Sequence, residues 1–321
     1  MKHNLVSMRV LLLVLASVAS CSAKGRHTLV VSVFPQGRDA HPHGHEIVSS
    51  VALNAASGVF AEVAMVMEAN SAEACSDFIA AVGAYEHAAL VMNATNSTKL
   101  SCVPWGKQPT YHDLFMVAER LFRQCRLRTD LVVISNTDQV FDASLAKGAG
   151  ELEPLRIAAL SVTHAGHVKF AKLYGDVLRH KSLHLLNFLT SCEQHIVPPN
   201  TCRDNKPTVY VNTWDAYVFN ASSFAVVPFA DAAPGESTAA YLQAFHMAFP
   251  MNVMGAEGWA LCGLVLRGWS PVPMCHKVSV FHLHCAPKMH ARGGQSMGYP
   301  PAELCNSGKF QHGVFRNVGI D

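Results

Sequence analysis

Apolar residues fall in short runs separated by longer amphipathic stretches, and that rhythm predicts the elements. Thr28–Phe34 (TLVVSVF) is a continuous β-branched run, which predicts a strand buried on both faces. Glu46–Phe60 predicts a helix, Val63–Met67 a strand, and Ser71–Val82 a helix with Gly83 as its stop. Ala88–Met92 is the next expected strand, and the polar stretch from Asn93 to Thr110 reads as a loop. Asp113–Arg126 carries Leu114, Val117, Leu121 and Phe122 at near-helical spacing, and Leu131–Ser135 (LVVIS) is a further buried strand. The N-terminal half therefore reads β-α-β-α-β-α-β, and that alternation implies a mostly parallel central sheet flanked by helices.

The second half is less regular. Arg156–Val162, Ala216–Phe219 and Val278–His284 predict strands, and Ser237–Phe249 and Glu257–Arg267 predict helices. Cys192–Pro207, rich in Pro, Asn and Cys, reads as a loop. No repeat or low-complexity tract breaks the pattern, so a single α/β domain over residues 24–321 is expected.

The first residues change the picture of where the chain works. Lys2, His3 and Arg9 precede an apolar run from Val10 to Ala19, followed by small residues through Ala23, which predicts a secretory signal peptide over residues 1–23. That run is about half the ~20 residues a membrane span needs, and no second long apolar segment follows, so no stable transmembrane span is expected. Val18-Ala19-Ser20-Cys21 also fits a bacterial lipoprotein processing site. Three acceptor sequons, at Asn93, Asn96 and Asn220, favour a eukaryotic secretory route instead: the ER or Golgi lumen, or secretion as a glycoprotein. The chain has ten cysteines, nine without Cys21, at wide irregular spacings with no CxxC pair. That usage suits several disulfides of undetermined connectivity in an oxidising lumen, with an odd thiol free or paired between chains.

With 50% hydrophobic and 15% charged residues over 321 positions, the composition is that of a folded globular protein and excludes a disordered one. A net charge of +2 with no clustered Lys/Arg excess excludes an electrostatic nucleic-acid binder. In parallel α/β sheets ligands lie beyond the C-terminal ends of the strands, so the segments just after each strand hold the candidate chemistry. After the first strand, His41, His43 and His45 alternate with Pro42 and Gly44, either as a metal site or as a solvated loop. Neither GxGxxG nor GxxxxGK[ST] follows that strand, and GxSxG is absent, so dinucleotide, P-loop and α/β-hydrolase readings lose their main support. After Leu131–Ser135 come Asn136 and Asp138, placed either to hold a divalent cation or to cap the next turn. Glu257 opens a helical segment, where the helix dipole favours its ionised form, as a general base or as a simple cap. His282 and His284 alternate along a strand and so share one face, as metal ligands or as hydrogen-bonded residues.

These segments together resemble the GT-A-type glycosyltransferase-like proteins. ISNTDQVFDASL (Ile134–Leu145) is similar to their NSDIxFD segment, in which a variant DxD motif holds the metal–nucleotide-sugar complex. WDAYVFN (Trp214–Asn220) is similar to their DxxxF strand, and Met254–Cys285 to the segment that ends in HLH. The resemblance covers residues 130–285 and implies a Rossmann-like three-layer sandwich. It implies a glycosyltransferase (hexosyl- or pentosyl-) that moves a sugar from a nucleotide-sugar donor to a glycan or glycoprotein acceptor, with Mn2+ or Mg2+. Carried over, Asn136 and Asp138 form the donor site, with Asp138 and His282 or His284 on the metal. Glu257 is then the acceptor-side acid, with Asp215 in reserve. Two departures stand: Asn136 replaces the first acid of a full DxD, and Gly258 follows Glu257 where an acid or amide is usual. A catalytically inactive binding protein on the same fold and a secreted metal-dependent hydrolase are the alternatives.

Overall fold

The computed structural model describes residues 27–35, 42–84, 98–124, 131–150, 152–160, 216–229 and 256–274, together with 247, 251, 277, 278 and 280–282. Its main sheet has seven strands: β1 (His27–Val33), β2 (Phe60–Met67), β3 (Lys99–Pro104), β4 (Leu131–Ser135), β6 (Arg156–Leu160), β7 (Ala216–Asn220) and β8 (Ser270–Pro273). Their spatial order is β3-β2-β1-β4-β7-β6-β8. Among the described strands β7 alone runs against the rest, pairing antiparallel with β4 and β6. Two short strands, β5 (Gln139–Phe141) and β9 (Val280–His282), form a separate antiparallel pair.

Helices cover both faces, as near-continuous apolar strands require. Pleating sends Leu29, Val31 and Val33 of β1 to one face, against Ile47 and Val51 of α1 (Pro42–Ala56) and Phe78 of α2 (Ala72–Gly83). Leu145 of α4 (Ser144–Ala149) packs on the same side. Val30, Val132 and Ile134 point the other way, onto Leu114 and Phe115 of α3 (Tyr111–Arg123), Phe224 of α5 (Ser223–Val226) and Leu261 and Leu264 of α6 (Ala256–Leu266). Each such aliphatic side chain stabilises the fold by about 1.5–3 kcal/mol. The result is the mostly parallel sheet flanked by helices that the alternation implied, in the three-layer sandwich that the resemblance implied.

Several boundaries differ from expectation, for local reasons. α1 starts at Pro42 and takes in His43 and His45, so the histidine-rich segment is helical from Pro42 onward rather than a loop. Proline is tolerated in a first helical turn, where its missing N–H has no intrahelical partner to lose. The helix stops at Ala56, short of Phe60, because Ser57 and Gly58 turn the chain: Gly58 has φ +70° and the Ser57 hydroxyl caps back onto Asn54. α3 starts at Tyr111, two residues earlier than expected, because Thr110 and Asp113 form a reciprocal capping box. Lys99–Pro104, inside the stretch read as a loop, is strand β3, in register with β2 from Glu62↔Lys99 to Met67↔Pro104. It lies at the sheet edge and is half-exposed at every position, so it carries no apolar run to read. A disulfide from Cys102 to Cys75 of α2 fastens it. Cys262 is also disulfide-bonded, and no cysteine among the described residues is free.

The expected strand Ala88–Met92, the helix Ser237–Phe249 apart from Met247, the loop Cys192–Pro207 and the leader lie outside the described residues. Among those described, no helix is long and apolar enough to cross a membrane.

Candidate functional site

The candidate residues gather where the parallel strands end. β4 closes at Ser135, opposite Ala216 at the start of β7, so Asn136 emerges at the same edge of the sheet as Tyr217. α3 also begins at this edge, and its first residue, Tyr111, donates its hydroxyl to Asn136 Oδ1 at 3.1 Å. Tyr217 lies edge-to-face on Tyr111, ring centroids 5.4 Å apart, and donates its own hydroxyl to the backbone carbonyl of Glu257. Asn136, Tyr111, Tyr217 and the first turn of α6 are therefore contiguous. Glu257 is buried there, in the first turn of α6.

Asp138 follows Asn136 by two residues and is half-exposed. Between them the Thr137 hydroxyl donates to the carbonyl of Ser32 in β1, which pins the loop to the sheet. The side chain of Gln139 is buried, and its Nε2 donates to Asp138 Oδ1 at 3.1 Å. Its backbone is clamped from α1: Asn54 Nδ2 and the Ser50 hydroxyl donate to the Gln139 carbonyl at 2.7 and 3.3 Å, and Asn54 Oδ1 accepts from Phe141 N–H at 3.0 Å. Directly opposite Gln139 in the antiparallel pair stands His282. The histidine strand foreseen at the C-terminal end is thus held one residue from Asp138 in register. Gly148 secures that strand's approach, since a Cβ there would come within 2.7 Å of Val278 Cγ2.

Asp215 and His284, each one or two residues beyond a described strand end, lie outside the described residues, as does His41. Among the described residues no group of three or more His, Cys, Asp or Glu side chains could hold a metal ion. The oxygen donors present nevertheless suit a hard divalent cation. Gln139 Oε1 is buried without a hydrogen-bond partner among the described residues, while the Nε2 of the same amide faces the Asp138 carboxylate.

Sequence reasoning missed Ser50, Asn54, Tyr111, Thr137, Gln139 and Tyr217 as contributors. Asn54 had a readable signal, a polar residue within the otherwise small and apolar VALNAA stretch. The tyrosines had none, because their function depends on which hydroxyl reaches which loop.

Next to Tyr111 on α3, His112 packs on Phe229 with ring centroids 6.3 Å apart. Burial, reinforced by the Arg267 guanidinium, holds its pKa below the usual histidine value. Burial likewise lowers the pKa of Arg267, which lies 4.4 Å over the Phe229 ring.

The architecture defines a mixed α/β protein with its candidate site at the C-terminal edge of a mostly parallel sheet. No family model and no curated protein matches the sequence. Among solved structures, the chain is similar to a mannosyltransferase from Pyrobaculum calidifontis in complex with GDP-Man and Mn2+, at 12% identity and TM-score 0.43, over 84% of this chain and 59% of that one. It is also similar to a structure of S. aureus TarS 1-349, at 10% identity and TM-score 0.34, over 70% and 56% of the two chains. The chain thus spans less than two thirds of the length of either.

Proposed function

We propose that this protein is a metal-dependent glycosyltransferase of the secretory pathway, taking a sugar from a nucleotide-sugar donor to a glycan or glycoprotein acceptor. One observation carries the reading: the β5–β9 pair sets His282 opposite Gln139, beside Asp138, at the strand ends where α/β sheets bind ligands. Two segments more than 140 positions apart in the chain, each singled out for its motif, meet at one place.

In this reading Asp138, steadied by Gln139 Nε2, and the histidine strand of His282 and His284 hold the divalent cation. When bound, that cation neutralises charge on the departing diphosphate. Asn136 contacts the donor. Glu257, its turn fastened by Tyr217, accepts the proton of the acceptor hydroxyl, with Asp215 as reserve. A second reading has one observation in its favour: Asn136 stands where a full DxD has an acid, and its Oδ1 is engaged by Tyr111, as in a donor-binding protein without transfer.

Release of nucleoside diphosphate from UDP- and GDP-sugars, with Mn2+ and a panel of glycan acceptors, separates the readings. The wild type releases diphosphate in an acceptor-dependent way, and Glu257→Gln loses at least 100-fold in rate, of the order a general base contributes, while binding donor unchanged. Donor binding without turnover in the wild type would favour the second reading. Turnover unaffected by Glu257→Gln would remove Glu257 from catalysis.

A further inference from the structure

Among the described residues, the aromatic cluster between the sheet and α3 contains Phe115, Phe219, Phe224, Phe229 and Trp269, and two phenols, Tyr111 and Tyr217. Both are fully buried, at 0% exposure, where a phenylalanine would pack equally well without a hydroxyl to satisfy. Both lie at the end of the cluster nearest the strand termini, and each hydroxyl bonds a candidate site element: Tyr111 on Asn136 Oδ1, Tyr217 on the Glu257 carbonyl. Packing explains the rings; it does not explain the hydroxyls.

We propose that Tyr111 is a positioning residue for the ligand site, acting through Asn136 and buttressed by the ring of Tyr217. An asparagine amide can present either its oxygen or its nitrogen. The Tyr111 hydroxyl occupies Oδ1 and so turns the Nδ2 donor toward the ligand. Asn136 then recognises an acceptor oxygen, of a phosphate or a ribose, rather than serving as the missing acid of a metal pair. Tyr217, edge-on to Tyr111 at 5.4 Å, fixes the donating ring and ties it to the start of α6. This inference rests on the donor-site reading of Asn136 given above.

Calorimetric titration with GDP and with UDP, each with Mn2+, tests it. Tyr111→Phe weakens the binding nucleotide about five-fold, the worth of one net hydrogen bond, and Asn136→Ala weakens it at least as much. In the Asn136→Ala background Tyr111→Phe adds less than about twofold, because its partner is gone. A wild-type affinity in Tyr111→Phe, or losses that multiply in the double variant, would overturn the positioning role while leaving the donor site standing. If the wild type binds neither nucleotide, the donor-site reading itself is wrong. Should Tyr111→Phe fail to fold, Asn136→Ala still decides, since it alters a half-buried strand end and spares the core; unchanged nucleotide affinity there would overturn the proposal.

Discussion

His112 shows how one residue ties the core to pH. Its ring packs on Phe229 beside the Arg267 guanidinium, its Nε2 is buried without a hydrogen-bond partner among the described residues, and the folded state therefore resists its protonation. Its folded pKa lies below the unfolded value of about 6.5, so as pH falls through that value the unfolded chain takes up a proton that the folded one refuses. Stability is thus lost on acidification, beginning near the unfolded pKa and levelling off below the folded one. Asp113 and Glu119 on α3 pull the other way, and Lys107 adds to Arg267. Replacing the imidazole with an apolar side chain (His112→Leu) should flatten the decline between pH 7 and pH 5, measured as urea midpoints against wild type at each pH. An equally steep decline in the variant would assign it to other groups.

Between elements, covalent and hydrogen-bonded fasteners hold parts that pattern alone leaves loose. β3 is an edge strand with no apolar run, and the Cys75–Cys102 bond, closing 27 residues, fixes it to α2. Replacing both cysteines with serine should cost about 3 kcal/mol of unfolding free energy by chain entropy, read from denaturant curves. A loss below about 1 kcal/mol would show that pairing with β2 suffices. The same contrast explains what was legible in the sequence. β1 and β4 were readable because both their faces are buried, which forces a continuous apolar run. β3 was not, because an edge strand alternates too weakly to stand out from a loop. α1 and α3 were found but misplaced at their ends, where Pro42, Gly58 and the Thr110–Asp113 box outweigh apolar spacing. The candidate site divides the same way. Asn136, Asp138, Glu257 and His282 stood out as residue types at element ends, whereas Tyr111, Tyr217 and Asn54 act through contacts between segments far apart in sequence.

For the whole molecule, the order β3-β2-β1-β4-β7-β6-β8 brings the ends of β1 and β4 together at mid-sheet, and α3 and α6 deliver their N-termini to the same edge. The second half of the chain returns to that edge through β9, so the site is assembled only when both halves have folded. We propose that this edge binds a nucleotide-sugar together with a divalent cation. Thermal stabilisation of the full-length protein by a panel of UDP- and GDP-sugars, with and without Mn2+, tests it most directly when Asp138→Ala is run alongside. The expected result is a shift of several degrees that requires nucleotide and metal together and vanishes in Asp138→Ala, as linkage demands of a ligand binding only the folded state. No shift with any member of the panel, or one that survives intact in Asp138→Ala, would contradict it.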